Sequence, residues 1–141
     1  MRANPPRNQQ GTIVPHDHPD ISDDHYVIRH TNPNDLCPDG AGGSRLASGA
    51  FSESSEGGMS VDIEDWAVAD GLDSLHYVTD PTNGAVRIRV GELRKQGFQV
   101  GWHPDDAHPH HGLVWGIGNG SKRKRRVKAI AQTVRKVLGE S

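Results

Sequence analysis

The sequence predicts a small α+β domain with a mainly antiparallel sheet, short helices and an amphipathic, basic C-terminal helix. Short apolar runs recur near residues 25–30, 59–63, 98–102 and 112–117, separated by stretches rich in Gly, Pro, Asn or Asp. That is the pattern of strands divided by turns. Between 85 and 90, Val86, Ile88 and Val90 alternate with Arg87 and Arg89, a period of two that sets one face on a core and the other in water. Near the end, Val127, Ile130, Ala131, Val134 and Leu138 recur at offsets of three and four, the spacing of one helical stripe.

Size and composition narrow the class. The chain has 141 residues, enough for one compact domain. Hydrophobic residues make up 33% and aromatics 5%, with 17 Gly and 9 Pro, so the core is small and much of the chain is loop. No apolar run approaches the ~18 residues of a membrane-spanning helix, so no membrane partner is expected. The opening MRANPPRNQQ lacks the apolar stretch of a secretory signal. Cys37 is the only cysteine. This excludes an internal disulfide framework and a four-cysteine zinc site, and suits a reducing, cytoplasmic setting.

Along the chain, residues 1–24 read as a flexible lead broken by Pro5, Pro6, Pro15 and Pro19, with one short strand at Thr12–Val14. Residues 25–141 read as a single α+β domain. A strand at His25–His30 ends at Thr31-Asn32-Pro33-Asn34, and a Gly- and Ser-rich loop follows. Leu46–Phe51 is a short strand or one helical turn. Met59–Ile63 is a strand, and Ile63, Trp66 and Ala67 share a helical face that Gly71 stops. Leu75–Thr79 and Ala85–Val90 are expected to pair as a hairpin, because Asp80-Pro81-Thr82-Asn83-Gly84 between them is built of turn formers. A short helix at Gly91–Gln96 closes at Gly97, strands follow at 98–102 and 112–117, and a His- and Pro-rich loop spans 103–111. The last helix is expected over 121–139, with Ser121 as its N-cap.

Charge is segregated. Residues 121–141 hold eight basic residues and one acid, Glu140, for +7, leaving −9 on residues 1–120. The run Lys122, Arg123, Lys124, Arg125, Arg126 and Lys128 suits phosphate contacts, whose affinity comes mainly from counterion release. No aromatic follows Trp115, so base stacking from this helix is not expected. The plainer alternative is a solvated face that meets the acidic body or an acidic protein surface.

Nine histidines are many for this length. His16 and His18 point the same way on an extended chain and are able to share a zinc ion, although solvated polar residues in a loose lead account for them more simply. The stretch from His103 to His111 lies between two strands, where a rigid frame presents site residues. There His103, His108, His110 and His111 form a candidate divalent-metal set, with zinc the first choice and Asp105 or Asp106 as further donors. Such a site would activate a water molecule for hydrolysis.

The order Arg29, Gly43-Ser44-Arg45-Leu46-Ala47-Ser48-Gly49-Ala50-Phe51, Ser60-Val61-Asp62, Arg94…Gly97 and His111-Gly112-Leu113-Val114-Trp115-Gly116 resembles a small bacterial family with no assigned activity. In that family a tyrosine–arginine strand, an R-x-S-S-x-A-F stretch, an S-V strand and an H-A-x-V-x-G strand recur in this order. Here Ala47 stands in place of a serine and Gly112 in place of the alanine. The resemblance implies no reaction, but it marks Arg29, Arg45, Ser48 and His111. By their chemistry, the two arginines are able to hold a phosphate or carboxylate, His30 or His111 to act as a base, and Ser48 to act as a nucleophile or a positioning hydroxyl. The loop Gly40–Arg45 lacks the spacing of a nucleotide P-loop, and Cys37 has no paired base in sequence.

The expectation is a cytoplasmic binding or accessory module. It would contact nucleic acid or another phosphate-bearing partner through its last helix, Val127 and its neighbours anchoring the helix from behind. The alternatives are a metal-dependent, nuclease-like hydrolase at residues 103–111 and a protein–protein adaptor.

Overall fold

The computed structural model describes residues 2–141. In chain order the elements are β1 (Tyr26–Thr31), β2 (Leu36–Pro38), β3 (Ser44–Leu46), β4 (Met59–Ile63), α1 (Glu64–Ala69), β5 (Gly84–Arg89), α2 (Val90–Lys95), β6 (Gln99–Trp102), β7 (His111–Trp115), α3 (Ser121–Ile130) and β8 (Gln132–Arg135). Single 3₁₀ turns lie at Pro33–Asp35 and Ser48–Phe51. Six strands form one sheet in the order β6-β7-β4-β1-β5-β8, every neighbouring pair antiparallel. The strands β2 and β3 pair separately. The protein is a small α+β fold, as the alternating and bounded apolar runs predict.

Alternation along the strands gives the sheet two unlike faces. Val27, Val61, Ile63, Val86, Ile88, Val100 and Val114 belong to the main core. Phe51, Leu93, Ile117, Val127 and Val137 pack in the same cluster, all at 2% exposure or less. A smaller cluster of Ile28, Val78 and Ala85, with Leu75 half-buried beside it, covers part of the opposite face. That second face also carries Ser60, Asp62 and His111, because Asp62 pairs with His111 across β4 and β7.

Two glycines close helices as expected, Gly71 (φ +88°) after α1 and Gly97 (φ +87°) after α2. A third tie is made by Glu53. Its carboxylate accepts from the N–H groups of Gly58 (3.2 Å), Gly116 (3.3 Å) and Gly118 (2.6 Å), binding the 52–58 loop to the turn before α3.

The structure departs from expectation in four places. The hairpin of 75–79 with 85–90 does not form. The turn is present, with Asn83 N–H donating to the Asp80 carbonyl at 3.1 Å, but both edges of β5 are taken, by β1 and by β8. Residues 73–78 instead fold into successive turns that lay Leu75 and Val78 on the second face.

The terminal helix stops at Ile130, and Gln132–Arg135 is a strand along β5. β-Branched Thr133 and Val134 favour that conformation, and the strand satisfies backbone groups that β5 would otherwise leave bare. The expected stripe therefore docks only in part. Val127 is fully buried and Ile130 and Ala131 half-buried, while Val134 (43%) and Leu138 (67%) are exposed. Gly120, not Ser121, occupies the N-cap and provides no side-chain cap.

Residues 2–24, expected as a flexible lead, pack on the fold, with His16, Asp17 and His18 lying against β6. The Val100 N–H donates to Asp17 Oδ1 (3.0 Å) and the His18 N–H to the Val100 carbonyl (2.9 Å), while His18 and Ile21 are each 1% exposed. In place of a strand at Thr12–Val14 there is a single bridge, Arg7 to Ile13.

Gly84 tests the position of β8. A Cβ there would lie 2.5 Å from the Arg135 carbonyl and 2.7 Å from the Val137 nitrogen, both backbone atoms. Gly84→Ala should cost about 1–3 kcal/mol, the usual range for overpacking. Urea unfolding gives that loss, and limited proteolysis should show faster cleavage after residue 131; an unchanged midpoint would contradict the placement of the tail.

Candidate functional site

Strands β1 and β4 run in register at Val27↔Ile63 and Ile28↔Asp62 and then part. Arg29 spans the opening: its Nε donates to the Ala50 carbonyl and its Nη1 to the Ser60 carbonyl, each at 3.0 Å. Burial lowers the Arg29 pKa against the opposing charge of Asp35, yet a guanidinium stays cationic at any physiological pH. A cavity of about 250 Å³ opens at this gap, lined by Arg29, His30, Ser60, Asp62, His108 and His111.

Asp62, only 3% exposed, is the polar centre of the second face. His30 Nε2 meets its Oδ2 at 2.5 Å and His108 Nε2 meets its Oδ1 at 2.7 Å. Burial alone would raise the Asp62 pKa, but the hydrogen bonds and charge of His108 and His30 outweigh it and leave the pKa lowered. The His108 ring stacks on Tyr77 at 3.5 Å between centroids. The Tyr77 hydroxyl is 2.6 Å from His110 Nδ1, and His110 Nε2 is 2.6 Å from Asp70 Oδ2. With Nε2–H donating to Asp70, the Nδ1 lone pair is placed to accept from the Tyr77 hydroxyl. The hydrogen bond from His110, with the one from Arg2, lowers the Asp70 pKa.

His111 takes another partner. Its Nδ1 lies 2.8 Å from the His103 carbonyl and its Nε2 2.7 Å from Ser60 Oγ. A carbonyl only accepts, so Nδ1 carries the proton and the Nε2 lone pair receives the Ser60 O–H. Burial lowers the His111 pKa, with the charges of His108 and His103 in the same direction and the His103 carbonyl and Asp62 opposing; the ring is neutral at pH 7. Ser60 and His111 also line a second, larger cavity of about 650 Å³, together with Ile13, Pro15, Glu56, Leu113 and Trp115.

The four histidines expected as a metal set do not converge. His108 and His110 serve separate carboxylates, His111 serves Ser60, and His103 contributes its carbonyl to His111 and a ring contact at 3.3 Å. Among the described residues, no group of three or more His, Cys, Asp or Glu side chains is placed to hold a metal ion. His16 and His18 are likewise engaged, His16 accepting from the Trp102 N–H (3.1 Å) and His18 Nε2 meeting the Ala3 carbonyl (2.7 Å).

Of the residues marked by sequence, Arg29 and His111 come together, while Arg45 and Ser48 lie elsewhere. They border a cavity of about 260 Å³ with Cys37, Arg125 and Lys128. The hydroxyl on His111 is Ser60, which sequence reasoning singled out only as part of Ser60-Val61-Asp62. Its role emerges from strand register, since the Asp62↔His111 pairing sets Ser60 two residues along on the same face.

The basic helix presents its charge outward. Lys122, Arg123, Arg125 and Arg126 are exposed and Lys124 and Lys128 half-buried. Among the described residues none of the six is in an ion pair. Arg123 Nη1 donates to the Gly116 carbonyl at 3.2 Å.

Comparison with protein-family models, with curated proteins and with solved structures finds no match for the chain.

The titrating groups predict the acid response. His111, held below its ordinary value, contributes stability that is complete above about pH 6.5 and is lost as pH falls below that. Asp62 and Asp70, also depressed, contribute stability that is present above about pH 4 and lost below it. A melting-temperature series from pH 8 to 3 should therefore descend in two stages. His111→Gln should make the upper stage shallower and Asp62→Asn the lower one; a single step below pH 4 that both variants share would contradict this assignment.

Proposed function

We propose that the protein is a binding module for phosphate-bearing polyanions, nucleic acid first among them, with α3 as the contact element. The observation that carries this reading is that Lys122, Arg123, Lys124, Arg125, Arg126 and Lys128 have no ion-pair partner among the described residues, on a helix whose Val127 is fully buried. Such crowding does not serve the fold. Cations in the first turn oppose the positive end of the helix dipole, the N-cap has no side-chain partner, and like charges on one face repel. A row of phosphates relieves all three costs.

Arg45, on β3, enlarges the surface. It shares a cavity with Arg125 and Lys128, so two elements offer guanidinium groups that match a phosphate in fork geometry. Ser48 lines the same cavity and supplies a neutral donor for a phosphate oxygen in this reading, in place of the nucleophilic role considered from sequence. Contacts of this kind go to the phosphate backbone and carry no sequence information.

Fluorescence polarisation with a labelled duplex across a salt series tests the reading. If all six helix cations each meet a phosphate, log Kd should rise with log salt with a slope of roughly 5, at about 0.9 per phosphate neutralised. Replacing Arg123, Arg125 and Arg126 together by Glu should abolish binding while the melting temperature holds or rises, because these side chains are exposed and their crowding is relieved. Affinity indifferent to salt, or retained by the triple variant, would overturn the proposal.

A further inference from the structure

We infer that Ser60 and His111 form a nucleophile–base pair able to cleave a carboxylic ester that lies across the second face of the sheet. The inference is independent of the basic helix. Three relations that such chemistry requires are present together. Ser60 Oγ is 2.7 Å from His111 Nε2. His111 is oriented by a third group, the His103 carbonyl at 2.8 Å from Nδ1, which fixes the tautomer whose Nε2 is free to accept a proton. Ser60 itself is exposed and lines both cavities, so a substrate reaches it from solvent.

The surroundings define the substrate class. The larger cavity presents Ile13, Pro15, Leu113 and Trp115, a wall for an apolar acyl or alkyl group. The smaller one presents Arg29, a permanent cation without a carboxylate in ion-pairing reach among the described residues. A cation there favours the oxygen on which negative charge develops during acyl transfer. An ester with one apolar arm fits this division.

The reaction balances without a cofactor. Ser60 Oγ attacks the ester carbonyl carbon while its proton passes to His111 Nε2, and the carbonyl π pair moves to oxygen. Collapse of the tetrahedral species breaks the bond to the alkoxy oxygen, which leaves with the proton from Nε2 as an alcohol. Water then attacks acyl-Ser60, giving its proton to Nε2; collapse expels Ser60 Oγ, which recovers that proton, and releases the carboxylic acid. His111 must be neutral to begin, and the burial that lowers its pKa keeps it so at pH 7.

The intact protein is incubated with a fluorophosphonate probe and followed by intact mass and peptide mapping, in parallel with p-nitrophenyl butyrate hydrolysis. One adduct on Ser60 is expected, with ester turnover that Ser60→Ala removes. His111→Gln should slow labelling by about 100-fold, the lower end of a general base's contribution. The labelling rate of the unaltered protein should rise through a midpoint below pH 6.5 and then level. That profile stands even if the His111 variant fails to fold. Absence of label on Ser60, turnover that persists in Ser60→Ala, or a labelling rate still rising above pH 8 would overturn the inference.

Discussion

A carboxylate taken out of water must be given compensating partners, and Asp62 shows how far one such requirement organises a small fold. With 3% of its surface exposed, it is surrounded by donors drawn from two remote segments, His30 on β1 and His108 on the β6–β7 connection. Satisfying it pulls that connection down onto the sheet. Once seated, the same loop brings His110 to Tyr77 and Asp70, and the backbone of His103 to His111. Loss of either histidine would leave one oxygen of a buried carboxylate without its donor, which is more costly than the net worth of the hydrogen bond. The polar face is thus cooperative: each ring is oriented by a neighbour that is itself held by another.

The opposite face obeys a simpler rule. Apolar side chains from six strands and the flanking helices exclude water, and the charge has been pushed to the rim. Some of the acids of residues 1–120 engage arginines of the body, as in Arg94 with Asp17 and Asp23 and Arg87 with Glu64. Among the described residues the cations of α3 have no such partners. A chain with −9 in its first part and +7 in its last has carboxylates enough to neutralise its own helix, and the geometry keeps them apart.

The short strands were legible because alternation and bounding turn residues are local signals; β4 falls on 59–63 as its pattern predicts. What was not legible depends on partners distant in sequence. The turn at 80–83 forms as its residues predict, but whether residues 75–79 pair with β5 depends on competition from β1 and β8, which no local window reveals. The tail shows period ambiguity: Ala131, Val134 and Leu138 fit a helical stripe, yet two β-branched residues beside an open sheet edge settle as strand. In the histidine-rich loop the spacing suggests a shared metal, whereas His108 meets Asp62 and His111 meets Ser60, both remote in sequence. Only the register of β4 with β7 puts Ser60 beside His111, and register is a property of two segments together.

The tail strand β8 has one further consequence. As the outermost strand it leaves a row of backbone groups unpaired on its outer side, the arrangement that invites another chain to add on and start a growing aggregate. Arg135 and Lys136 sit at the end of that row, and the half-buried Arg135 guanidinium is anchored on the carbonyls of Asn83 and Asp80. Two copies approaching edge to edge would bring these positive charges together, so the electrostatics of the tail also act as gatekeepers for colloidal stability.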